Sequence, residues 1–101
     1  MFEASMNFDL ENVETFLIRI DARLGLNLPL EELIEMTHET KIETEQSRTV
    51  NVEFGDSQTT IEYRVFMDDI DAPDLYFFTP TKDLAESIEG EMETFADELG
   101  I

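Results

Sequence analysis

The sequence predicts one α+β domain of two layers, in which a three-stranded antiparallel meander packs against helices in the order α-α-β-β-β-α. Three observations carry this expectation. Apolar residues recur at helical spacing from Leu10 to Leu24 and again from Leu84 to Leu99. The stretches Arg48 to Phe54 and Thr60 to Met67 alternate apolar and polar side chains, the period of a half-buried strand. The run Leu75 to Phe78 is short and wholly apolar, the mark of a strand inside a sheet. A chain of 101 residues is the length of one domain, here residues 1–101, with a single thin core.

The first helix is expected from about Asp9 to Leu24. Leu10, Val13, Leu17, Ile20 and Leu24 fall on one stripe, which Phe16 widens. Asn7 or Asp9 caps its start, Asp9 and Glu11 suit the positive end of its dipole, and Gly25 ends it in a left-handed conformation. Core packing is the ordinary use of such a stripe; a seam between two copies of the chain, giving a homodimer, is the other. Pro29 fits the first position of a second helix that turns Leu30, Leu33 and Ile34 inward, with Met36 at the edge. That helix ends near Thr37 or His38, where β-branched threonines favour extended chain.

In the first strand Val50, Val52 and Phe54 face one way, and Gly55-Asp56-Ser57-Gln58 is turn composition. In the next, Ile61, Tyr63, Val65 and Met67 face the core, while Thr60, Glu62, Arg64 and Phe66 face out. A slip of one residue would bury Glu62 and Arg64, so the pattern pins the register. Residues 68–74 read as an acidic loop, and Leu75 to Phe78 as a third strand covered on both faces. Thr79 then caps a last helix with Pro80 in its first turn. Leu84, Ile88, Met92, Phe95 and Leu99 line its inner face, and Glu86, Glu89, Glu93 and Asp97 its outer one. Gly90, in the middle of that helix, suggests a close approach by another backbone. One sheet edge is left free, a place where a partner strand can add.

Charge is the outlier. Asp and Glu number 25 against 6 Lys and Arg, a net charge of -19. Such a chain repels nucleic acid and anionic membrane, because phosphate binding needs cations that displace condensed counterions. It attracts basic surfaces and speeds encounter with them. An apolar content of 42% still places it among folded rather than disordered chains. The first nine residues carry neither a basic region nor a long apolar run, and no stretch approaches the ~20 apolar residues of a membrane span, so the cytoplasm is the expected location.

Little in the sequence points to catalysis. Without cysteine there is no thiolate chemistry, and the single histidine, His38, reads as a surface or helix-end residue. A zinc site would need more nitrogen or sulfur ligands than the chain has. Counted from Asp69 as a calcium loop, Pro73 falls where an oxygen ligand belongs and Asp74 where the glycine belongs. No glycine-rich phosphate loop is present, so no metal and no cofactor is expected.

The acidic surface is the remaining feature. Glu86 and Glu93 are ~10 Å apart along the last helix, and Glu93 and Asp97 ~6 Å. These steps are comparable to those between neighbouring phosphates on a nucleic-acid strand. The aspartates Asp68, Asp69, Asp71 and Asp74 would extend the row, with Tyr76 or Phe66 as an aromatic anchor. This composition is similar to that of small phage-encoded inhibitors that imitate DNA and of immunity proteins that block basic nuclease toxins, although no motif matches a particular family. The expectation is a non-enzymatic acidic binding protein. It would dock on a basic, nucleic-acid-binding protein and block it, in the manner of a DNA-mimic, anti-restriction or anti-CRISPR inhibitor, with Glu86, Glu89, Glu93, Asp97 and the loop aspartates as contacts. The competing expectation is an ordinary cytosolic structural or oligomeric domain of a salt-adapted organism, acidic for its surroundings.

Overall fold

The structure, a computed structural model, describes residues 1–69 and 71–100. Ile70, which the sequence places in the acidic bend, lies outside the described residues. The elements are β1 (Phe2–Asn7), α1 (Leu10–Leu24), α2 (Leu30–Glu39), β2 (Glu45–Phe54), β3 (Ser57–Asp69), β4 (Ala72–Thr79) and α3 (Lys82–Leu99). The domain is α+β with a four-stranded sheet in the order β1-β4-β3-β2, every pair antiparallel. The meander of β2, β3 and β4 is present as expected, but the sequence reading missed a strand. Phe2, Ala4 and Met6 alternate with Glu3, Ser5 and Asn7, and this short strand pairs along β4. Both outer strands, β1 and β2, are therefore sheet edges.

The three helices share one face of the sheet. α3 lies against β1 and β4, α2 lies against β2, and α1 touches both other helices. The chain thus leaves β1, crosses the sheet through α1 and α2, and re-enters at the opposite edge as β2. Val13, Phe16, Leu17 and Ile20 of α1 are buried, as are Leu84, Ile88, Met92 and Phe95 of α3 and Ile61, Tyr63, Val65 and Met67 of β3. Phe8, just after β1, is fully buried with its ring 4.8 Å from Phe16 and 5.6 Å from Phe95, so three elements meet on one aromatic cluster.

Helix ends follow local chemistry in part: Asp9 stands at the N-cap of α1 without a side-chain cap hydrogen bond, and Pro29 is the N-cap of α2 rather than its first helical residue. Gly25 ends α1 at φ 64, and Gly55 takes φ 63 in a two-residue turn joining Phe54 to Ser57, a conformation that a side chain would strain. Thr81, rather than Thr79, caps α3, its hydroxyl accepting from the Leu84 N–H at 3.4 Å. Thr79 remains in β4, buried, and donates to the Thr81 carbonyl at 2.5 Å. Gly90 marks no close approach, since a Cβ there would meet nothing within 4 Å.

The acidic bend is also shorter than its composition implies. Strand pairing carries β3 to Asp69 and starts β4 at Ala72, with a register irregularity between Phe66 and Asp69. Pro73 and Asp68 take no ladder partner there among the described residues, as the bulged end of a hairpin allows, while Asp69 and Asp74 are paired. The Pro73 carbonyl accepts from Phe8 N–H at 3.2 Å, and the Asp71 carbonyl from Leu10 N–H at 2.6 Å, which anchors the turn to the start of α1.

Candidate functional site

The sheet face away from the helices is uncovered, so the strand of Leu75 to Phe78, expected to be covered on both faces, is covered on one and leaves Tyr76 and Phe78 half-buried on the other. None of the residues that alternation places on it is buried, whereas their neighbours on the helix side of β3 and β4 are. Strand register arranges its side chains in rows across the sheet. One row runs Glu3, Phe78, Glu62, Thr49; the next Ser5, Tyr76, Arg64, Ser47; the third Asn7, Asp74, Phe66, Glu45. Each phenylalanine thus stands between two carboxylates in its own row. Tyr76 sits at the middle of the pattern.

Arg64 shows how this lattice treats a cation. Its guanidinium lies over the Phe78 ring, 4.9 Å from the centroid, while one of its nitrogens is 2.6 Å from the Glu62 carboxylate. A planar cation can do both at once, stacking on a ring and donating in its own plane. The Tyr76 and Phe78 rings are nearly parallel, with centroids 6.1 Å apart. Partial burial pushes the Tyr76 hydroxyl above its ordinary value, and the negative charges of Asp74, Glu3, Glu45 and Asp68 push it further. In register the partners of Tyr76 are Ser5 and Arg64, and the rows on either side carry Glu3, Asp74 and Glu45. Asp74 is held in place by the Asn7 side-chain amide, which donates to it at 2.9 Å.

The residues singled out from sequence are divided between two sides of the molecule. Asp74, Tyr76 and Phe66 lie on the helix-free face, with Asp68 and Asp69 at the end of β3 and Asp71 in the turn. Glu86, Glu89, Glu93 and Asp97 are exposed on the outer surface of α3, behind the sheet. The loop aspartates therefore do not continue the helix row, because the tight turn sends Asp74 into a strand whose outward side faces away from α3. Glu3, Glu45, Glu62, Arg64 and Phe78 complete the sheet face and were not singled out. Parity along β3 and β4 could have joined Glu62, Arg64 and Phe78 to Phe66 and Tyr76.

Most cations are engaged inside the chain. Arg19 makes a two-pronged ion pair with Glu98, Arg23 lies 2.7 Å from Glu91, Arg48 3.6 Å from Glu32 and Lys82 3.7 Å from Glu86. With Arg64 on Glu62, that leaves Lys41 as the cation with no ion pair among the described residues. The single histidine, His38, is exposed in the last turn of α2 and borders an open cleft of about 580 Å³ with Asp9, Glu11 and Asp71. No cluster of three or more metal-ligating side chains with binding geometry occurs among the described residues. No described helix is long and apolar enough to cross a membrane. Comparison with family models, with curated proteins and with solved structures gives no significant match.

Proposed function

We propose that this chain is a non-enzymatic acidic binding protein that docks on a basic, nucleic-acid-binding protein and blocks it. The supporting observation is the distribution of its few cations. Nearly all are paired with the chain's own carboxylates, so the surplus of 25 acids over 6 bases is presented outward as one sign of charge. Glu89, Glu93 and Asp97 make no ion pair among the described residues, and a helix holds them in a row. A groove built for phosphates would meet a comparable line of negative charge. A basic nuclease toxin, blocked by an immunity protein, is one form such a target can take.

The test is competition. A defined basic DNA-binding protein is titrated with the chain at low salt, and then duplex DNA is added. Binding that is released by DNA, and weakened by Glu86→Lys, Glu93→Lys and Asp97→Lys together, supports occupation of the nucleic-acid groove. Binding that persists unchanged in both cases overturns it. The alternative, a structural domain of a salt-adapted organism, draws support from carboxylates standing on both faces rather than one. Its signature is loss of the fold in dilute buffer.

A further inference from the structure

We propose that the helix-free sheet face is a second docking surface besides the α3 row, and that it takes arginine side chains from an extended basic segment of the partner, each guanidinium seated on the Tyr76 or Phe66 ring against a neighbouring carboxylate. This rests on the reading of the chain as a binder of a basic protein, and it names the surface and the chemical group recognised.

Four observations lead here. Phe66, Tyr76 and Phe78 stand half-buried on this face, and no helix among the described residues covers it. In two of its three rows a ring stands between carboxylates, as in Asn7-Asp74-Phe66-Glu45, and the Tyr76 row lies between those two. The rows flanking that of Tyr76 carry Glu3, Glu62, Asp74 and Glu45 against the single cation Arg64, which gives the face the sign opposite to a basic segment. Arg64 on Phe78 and Glu62 is a working instance of the contact, built from the chain's own residues. The α3 row has charge but no apolar anchor, and charge alone governs encounter rate more than affinity. The platform lies on central strands hydrogen-bonded on both sides, so little order remains to be gained on binding. Nucleic-acid bases also stack on exposed rings, but their phosphates would face the same carboxylates.

Arginine is favoured over lysine because its flat, weakly hydrated guanidinium stacks and donates in plane, whereas an ammonium is a compact, strongly hydrated charge. The probes are an oligo-arginine peptide, an oligo-lysine peptide of equal length and a single-stranded oligonucleotide, measured by calorimetry at moderate salt. The arginine peptide should bind more tightly than the lysine peptide, by roughly two- to fivefold for each guanidinium stacked. Tyr76→Leu, which keeps bulk but removes the ring, should bring that ratio down, and Tyr76→Phe should retain it. Neutralising α3 with Glu89→Gln, Glu93→Gln and Asp97→Asn should weaken both peptides alike and leave the ratio intact. The chain has two tyrosines and no tryptophan, so in Tyr63→Phe the emission of Tyr76 alone should change as the arginine peptide binds. A ratio near one, a ratio unmoved by Tyr76→Leu, or binding of the oligonucleotide overturns the proposal. In the first two cases a basic protein still released by DNA would leave the wider reading standing; if neither peptide binds even at low salt, both fall.

Discussion

Tyr63 and Thr37 show how a single polar pair can sit inside this core. The Tyr63 ring packs 5.1 Å from Phe77, and its hydroxyl shares a 2.7 Å hydrogen bond with Thr37, whose own hydroxyl donates to the Leu33 carbonyl at 2.7 Å. Burial drives the Tyr63 hydroxyl well above its ordinary value, while the bond to Thr37 pulls the other way. Removing one partner is asymmetric. Tyr63→Phe leaves Thr37 bonded to Leu33 and should cost about 1 kcal/mol. Thr37→Val strands a buried phenol and should cost more, about 1–3 kcal/mol. Urea denaturation of the two variants checks the order, and equal costs would refute it. Gly90 supplies the opposite sign. It lies mid-helix with nothing near its missing Cβ, so Gly90→Ala should stabilise by about 1 kcal/mol. Alternation along β3 made Tyr63 legible as a core residue. Its partner was not, because a threonine near the end of a helix carries the same residue-level signal whether its hydroxyl meets water or a tyrosine.

At the scale of elements, the helix layer is tied together by charge as well as by apolar contact. Arg19 and Arg23 of α1 face Glu91 and Glu98 of α3, and Arg19 also lies 5.6 Å from the centre of the Phe95 ring. The hydrogen bond from Arg19 holds the Glu98 carboxyl below its ordinary value of 4.5, chiefly through that bond and then through the charges of Arg19 and Arg23. A carboxyl lowered by folding adds stability that is present above its unfolded pKa and fades as pH falls through its folded one. The stability difference between the parent chain and Glu98→Gln should therefore be largest at neutral pH and vanish in acid below the carboxylate range. Denaturant melts across that pH span test it, and a difference independent of pH would show that the pair contributes only packing. The sequence showed α1 and α3 through their stripes, and β2 and β3 through period two. It did not show β1, whose alternation is only six residues long and includes Ala4 and Ser5, poor strand formers. The meander pairing of β2, β3 and β4 was legible, but the pairing of β1 along β4 was not, and the split between α3 and the sheet face became visible only with the register.

For the whole molecule, the net charge of -19 acts on folding and on binding with opposite signs. Folding gathers like charges into a small volume, and the six cations cannot offset them, so self-repulsion opposes the compact state. Salt at about 0.1 M shortens the range of such forces to about 10 Å, which relieves repulsion spread over the surface more than it weakens the close pairs of Arg19 and Arg23. The melting temperature should therefore rise with added sodium chloride. Docking on a basic protein is attraction over the same distances, so affinity and association rate should fall over the same range of salt. The two slopes, measured on one sample by calorimetry and stopped flow, separate what composition alone leaves open. A chain whose acidity serves only a saline environment would show the rise in stability without any partner whose capture falls. A binder shaped for a basic surface shows both, and it remains folded in dilute buffer, where its attraction to that surface is strongest.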